Sequence, residues 1–139
     1  MPNAMPAGQL PKLDGICVLI IDDDDDGRAV LAAHLHWAGA TVTSAAAGDH
    51  ALDDLREFLP DVIVCDLRMP RVDGLTFMRE LRARQVEQGG EIPVIAVTAY
   101  HQQYSLAEAV QAGFAAYLPK PLQYAELCRA ILAATRPPA

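Results

Sequence analysis

Pro60-Asp61-Val62-Ile63-Val64-Cys65-Asp66-Leu67-Arg68-Met69-Pro70-Arg71-Val72-Asp73-Gly74 is the stretch on which the fold turns. Four apolar residues, Val62 to Cys65, lead straight into the carboxylate of Asp66. A continuous apolar run rich in β-branched residues predicts a strand buried on both faces, the habit of parallel sheets. Asp66 then stands where the strand leaves the core, at its carboxyl end. Open α/β sheets place their ligand sites at that edge. Met69-Pro70 and Asp73-Gly74 supply the turn before the next helix.

Three further apolar runs repeat the pattern. Ile16 to Ile21 predicts a first strand, ending in the run Asp22-Asp23-Asp24-Asp25-Asp26. Ile92 to Val97 predicts a fourth, ending in Thr98-Ala99, and Phe114 to Leu118 a fifth, followed by Pro119-Lys120-Pro121. Thr41 to Ala45 is a shorter second strand. Helical spacing fills the gaps. Val30, Leu31, Leu35 and Ala38 mark a helix from about Arg28 to Ala38, capped by Asp25 or Asp26 and ended by Gly39. His34 falls on that face, as a packed histidine; His36, two residues on, does not share its direction. Ala51, Leu52, Leu55, Phe58 and Leu59 give a second helix stopped by Pro60. Leu75, Met78 and Leu81 give a third, fading into a flexible loop over Glu87 to Gly90. Ser105 and Glu108 have capping-box spacing ahead of Leu106, Ala109 and Val110, and Gly113 closes that helix. Leu127, Ala130, Ile131 and Ala134 face inward from the last. Fivefold strand–helix alternation predicts an α/β protein: a doubly wound parallel sheet with helices on both faces and right-handed crossovers.

The totals fit one domain. The chain has 139 residues, 52% hydrophobic, with net charge −7 and pI ≈ 4.9. That acidity argues against binding a phosphate backbone, so no direct nucleic acid contact is expected. No apolar run approaches the roughly 20 residues of a membrane helix. Met1 to Gln9 has no signal-peptide pattern, and a cytoplasmic protein is expected. Three cysteines, Cys17, Cys65 and Cys128, fit free thiols in a core rather than a disulfide framework. Residues 1–14, with Pro2, Pro6, Gly8 and Pro11, read as a tail or linker; 15–135 as the domain; 136–139 as a C-terminal tail.

In a parallel sheet all carboxyl ends share one edge, so Asp22, Asp23, Asp66, Thr98 and Lys120 can converge. Five adjacent carboxylates repel one another and need a cation or full solvation. Asp22, Asp23 and Asp66 can hold a hard divalent ion, and Mg²⁺ takes a few carboxylates, water and a substrate phosphate. A carboxylate can act as nucleophile toward phosphorus. A lysine and a metal would neutralise the equatorial oxygens of the transferred group, while a hydroxyl and nearby N–H groups complete the cradle. The set matches phosphoryl transfer onto Asp66. Taken singly, Thr98 fits a plain strand-end hydroxyl, Tyr117 edge-strand packing and Lys120 a solvated lysine. Their joint placement carries the reading.

These motifs, in this order, resemble the receiver domain of two-component response regulators, over about Gly15 to Ala134. The resemblance implies a flavodoxin-like (βα)5 fold with strand order 2-1-3-4-5. It implies that Asp66 is phosphorylated by a phosphohistidine donor, from a sensor histidine kinase or a histidine phosphotransfer protein. Asp23, Asp66 and the backbone carbonyl of Arg68 would hold Mg²⁺, with Asp22 assisting through water. Lys120 would pair with the phosphoryl oxygens, and Thr98, with the Ala99 backbone, would bind them. Thr98 and Tyr117 would form the switch toward the surface of the fourth helix, fifth strand and fifth helix. The Lys120-Pro121 peptide would be cis. Tyr100, two residues past Thr98, would shield the acyl phosphate; an unchanged phosphoryl lifetime in Tyr100→Ala would refute that. Such a domain is not an enzyme beyond Mg²⁺-dependent self-phosphorylation and autodephosphorylation. Its output would be a downstream protein partner or a kinase core in cis, with homodimerisation on phosphorylation a further expectation. The Pro-rich start suits the C-terminal receiver of a hybrid histidine kinase; a free single-domain receiver is the other context.

Three rivals stand beside this reading. Asp22, Asp24, Asp26 and Gly27 mimic the opening of a calcium loop, but its twelfth position, which needs glutamate, is Ala33. An aspartate-based small phosphatase would need a cap domain, for which this length leaves no room. A phosphorylation-independent binding module would not need the intact acidic pair, Asp66, Thr98 and Lys120. Pro119 and the extra acidity of Asp24 to Asp26 depart from the family pattern.

Overall fold

The structure is a computed structural model that describes residues 11–68, 73–99 and 106–135. Among the described residues, five strands alternate with five helices: β1 (Cys17–Ile21), α1 (Asp25–Trp37), β2 (Thr41–Ala45), α2 (Gly48–Asp54), β3 (Val62–Asp66), α3 (Gly74–Arg82), β4 (Val94–Thr98), α4 (Leu106–Ala112), β5 (Ala116–Pro119) and α5 (Tyr124–Thr135). The strands form one parallel sheet in the order β2-β1-β3-β4-β5. This is the expected flavodoxin-like topology.

The apolar runs are unbroken because each strand feeds two cores. Successive side chains point to opposite faces. Val18, Ile20, Val62, Val64, Ile95 and Val97 pack with Leu31 and Leu35 of α1 and Leu127, Cys128 and Ile131 of α5. Leu19, Ile21, Ile63, Cys65, Val94 and Ala96 pack on the other face, against Ala51, Leu52, Phe77, Met78, Leu81 and Ala109 of α2, α3 and α4. The three cysteines are free.

Several boundaries differ from the sequence expectation, each for a local reason. Asp24, not Asp25 or Asp26, caps α1: its carboxylate accepts from the Gly27 N–H at 2.8 Å. The helix therefore starts three residues before Arg28. Val30 and His34 lie outside its buried stripe, each one residue, or 100° of helix, before Leu31 and Leu35. His34 is exposed on its outer side and stacks on Tyr124, with ring centroids 3.7 Å apart. Helix α2 stops at Asp54, leaving Phe58 and Leu59 on the surface beyond it. Asp53 and Asp54 oppose the negative end of the helix dipole, and Pro60 requires an extended predecessor. β4 begins at Val94 because Pro93 has no N–H to give; its carbonyl still accepts from Ile63. Phe114 belongs to the turn after α4, its N–H bonded to the Ala109 carbonyl, and β5 begins at Ala116. Val110 is exposed, and Ala109 alone of that pair is buried.

Glu87 to Gly90 is a built turn and not a loose loop. A 3-10 turn over Val86–Gln88 ends at Gly89 with φ 99°, and both Gly89 and Gly90 are buried. The Arg82 guanidinium fastens the turn by donating to the carbonyls of Gly90 and Ile92. Leu13, on the tail side of the expected boundary, is fully buried in the α1–α5 core and donates its N–H to the Ala38 carbonyl. The packed unit thus begins before Gly15. Met69 to Val72, Tyr100, Ser105 and the 136–139 tail lie outside the described residues.

Gly74 fixes how close α3 comes to the end of β3. A Cβ there would lie 2.8 Å from Leu67 Cα and 3.1 Å from the Asp66 carbonyl oxygen. The Asp73 carboxylate, accepting from the Thr76 N–H, caps the same helix.

Candidate functional site

Parallel pairing brings the carboxyl ends of β1, β3, β4 and β5 to one edge. Ile21 stands beside Cys65, Asp66 beside Val97, and Thr98 beside Pro119. The next polar groups after those positions are Asp22, Asp23 and Lys120. β5 is an edge strand, which accommodates Pro119; the Lys120 N–H still bonds to the Thr98 carbonyl. The Lys120-Pro121 peptide is cis.

Lys120 is the centre of the constellation. Its Nζ is 3.1 Å from Asp66 Oδ2 and 3.3 Å from Asp22 Oδ2. The other oxygen of each carboxylate is held by main chain: Asp66 Oδ1 accepts from the Arg68 N–H at 3.0 Å, and Asp22 Oδ1 from the Asp24 N–H at 2.9 Å. Asp22 is buried, Asp66 half-buried and Asp23 exposed. One carboxylate oxygen from each of Asp22, Asp23 and Asp66 lies within 4.8 Å of the others. Three hard oxygen donors at that spacing, one facing solvent, suit a divalent ion that keeps several waters.

One ammonium serving two carboxylates sets the electrostatics. Burial pushes the Asp66 carboxyl above its ordinary value. The Arg68 N–H and Lys120 oppose the rise, and the Asp22 charge adds to it. Burial alone would pull Lys120 down, but the charges of Asp66 and Asp22 outweigh it and hold the ammonium above its usual range. The two directions agree: the site has one positive charge too few for its carboxylates. The neighbouring Cys65 thiol is pushed far up, by burial first and then by Asp66. Its Sγ–H donates to the Asp66 carbonyl.

Thr98 ends β4 fully buried, and Ala99 follows it on the surface. Tyr117 of β5 is partly buried against the α2–α3–α4 core. Burial, then the Glu108 charge, raise its phenol. Arg68 is exposed, and its backbone stands directly beside Asp66. Arg28 was legible only as the start of a helix. In the structure it reaches back into the site, with Nη1 donating to the Asp22 carbonyl at 2.7 Å and Nη2 to Asp25 Oδ1 at 2.6 Å. The three-residue spacing of Asp25 and Arg28 hinted at the second contact; nothing in the sequence hinted at the first.

The family model of the response regulator receiver domain matches residues 18–132. The chain belongs to this family. Its receiver fold is shared with the receiver domain of the sensor histidine kinase PA1611 from Pseudomonas aeruginosa PAO1, solved with a magnesium ion coordinated in its active site cleft. That likeness has a TM-score of 0.78 and 34% identity, covering 87% of this chain and 98% of that one. An uncharacterized 14.6 kDa protein in the sodA1 3′ region of Leptolyngbya boryana is 38% identical over 114 residues, 82% of this chain and 86% of that protein. Response regulator MprA of Mycobacterium avium (strain 104) is 37% identical over 123 residues, 86% of this chain. The receiver spans about half of that relative, 52% of its length. Among the described residues no helix is long and apolar enough to cross a membrane.

Proposed function

We propose that this receiver domain takes a phosphoryl group on Asp66 from a phosphohistidine. The observation that carries the reading is the Lys120 ammonium set between Asp66 and Asp22 at the carboxyl edge of the sheet. In the transfer, an Asp66 carboxylate oxygen forms a bond to phosphorus. The phosphorus–nitrogen bond breaks, and its electron pair stays on the donor imidazole. Lys120 neutralises charge on the transferred group. The Thr98 hydroxyl and the Ala99 N–H receive its remaining oxygens.

The acidic set fits Mg²⁺. Asp23, Asp66 and the Arg68 carbonyl would hold it, with the more deeply buried Asp22 acting through water. When bound, the ion supplies charge neutralisation for the phosphoryl oxygens. Transfer moves negative charge from the Asp66 carboxylate onto the phosphoryl oxygens, Lys120 turns to them, and Thr98 and Tyr117 carry the change to the surface of α4, β5 and α5. The activity is self-phosphorylation and autodephosphorylation, without turnover of an outside substrate.

The donor is a sensor histidine kinase or a histidine phosphotransfer protein in the cytoplasm. The output is a protein partner, a kinase core in cis or a second phosphorylated copy. Likeness to the receiver of a sensor histidine kinase supports the hybrid-kinase context.

Intact mass after incubation with acetyl phosphate and Mg²⁺ tests the reading. One phosphoryl adduct is expected, absent without Mg²⁺ and in Asp66→Ala. An adduct that survives Asp66→Ala, or none in the wild type, would leave a phosphorylation-independent binding module. Steady release of phosphate from a small ester would instead support a phosphatase.

A further inference from the structure

We infer that Arg28 is the positioning residue of the cation site, holding Asp23 at its working distance from Asp66. The inference rests on the phosphoacceptor reading above.

Five consecutive carboxylates repel one another, and the structure gives most of them separate tasks. Asp22 is bound to Lys120 and to the Asp24 N–H. Asp24 caps α1. Asp25 pairs with Arg28, and Asp26 lies in the first helical turn, where the dipole favours it. Among the described residues, Asp23 alone both lacks a hydrogen-bond or ion-pair partner and belongs to the acidic triad. Its position follows from the backbone that carries it.

That backbone is fastened by Arg28. The guanidinium fork spans the Asp22 carbonyl at the exit of β1 and the Asp25 carboxylate in the first turn of α1. Asp23 and Asp24 are the two residues between these anchors. The Arg28 side chain is only 19% exposed, whereas that of Asp25 is 83% exposed. An ion pair so exposed on one side adds little stability. The contact with the Asp22 carbonyl is charge-assisted, short and shielded, so it is the stronger anchor. With the two carboxylate bonds of Asp22 and its N–H on the Ala45 carbonyl, it fixes that residue at four points. Asp23 is the next residue along.

Charge and geometry predict opposite signs. A cation close to a cation site weakens binding, so losing Arg28 through charge alone would tighten Mg²⁺; Arg28→Lys keeps the charge and removes only the fork. Losing the fork frees the loop to spread under its own repulsion. Supporting residues outside the ligand set typically control metal affinity by tenfold or more, so geometry wins.

The test is calorimetric titration of Mg²⁺ into the metal-free full chain for wild type, Arg28→Lys and Arg28→Gln, at a temperature where thermal melts show all three folded. Both variants are expected to raise the Kd about tenfold. Arg28→Lys gives little rescue, because an ammonium lacks the fork that reaches both acceptors. Without metal, hydrogen exchange at the Asp24 amide is expected to quicken about tenfold in Arg28→Gln. Binding as tight as wild type in Arg28→Gln, or full rescue by Arg28→Lys, overturns the inference while leaving the phosphoacceptor reading intact. A wild type that binds no Mg²⁺ overturns both.

Discussion

Lys120 Nζ lies 3.1 Å from Asp66 Oδ2 across 54 residues of chain. The contact joins the last strand of the sheet to its central strand and leaves Asp22 as a second claimant on the same ammonium. Removing the lysine would leave two shielded carboxylates with no cation between them. Lys120→Met is therefore expected to lower unfolding free energy at pH 7 by about 2 kcal/mol, the scale for unpaired charged groups in partly buried sites. Urea titrations should show the loss shrinking at acid pH, where the carboxylates take up protons. An undiminished loss at low pH would point to lost packing of the lysine stem instead.

Asp66 gives the protein a stability term of unusual sign. Its carboxyl is raised on folding, by burial first, so the folded state binds this proton more tightly than the unfolded state does. Stability from this group therefore falls as pH rises from the ordinary carboxylate value of about 3.9 to the raised folded value, and is level above it. Asp66→Asn is expected to be more stable than wild type at neutral pH, with the difference closing on acidification. Lys120 acts at the other end. Its raised ammonium contributes stability that is full below the ordinary lysine value of about 10.4 and is lost as pH climbs through the folded value. Denaturant midpoints across the pH range, for wild type and Asp66→Asn, check both signs.

Leu13 tests where the packed unit begins. It is fully buried between α1 and α5 although the sequence around it, with Pro11 and Asp14, resembles a linker. Leu13→Ala is expected to cost about 3 kcal/mol, the usual range for a truncated core leucine. A cost under about 0.5 kcal/mol, the scale of surface substitutions, would return Leu13 to the tail.

Sequence periodicity reached far here because this fold is written in local patterns. The apolar runs ending at Ile21, Cys65 and Val97 have no polar face, so only a sheet covered on both sides could accept them. Parallel strands then force Asp22, Asp23, Asp66, Thr98 and Lys120 to one edge, whatever the helices do. The residues at which helices stop were less legible. Phe58 and Leu59 continue the apolar spacing of α2 yet lie outside it, because Asp53, Asp54 and Pro60 end the helix through charge and backbone geometry.

What the sequence determined by itself was the order of elements, the two-faced sheet and the row of polar groups at its edge, since each follows from residue spacing along one segment. What only the tertiary structure decided was which carboxylate does what. In a run of five aspartates every neighbour looks alike. Lys120 claims Asp22 from 98 positions away, the first turn of α1 claims Asp24, and Arg28 claims the Asp22 carbonyl and the Asp25 carboxylate. Those choices depend on distances between chain segments, and hydrogen bonds and ion pairs weaken too steeply with distance for spacing along the chain to stand in for them.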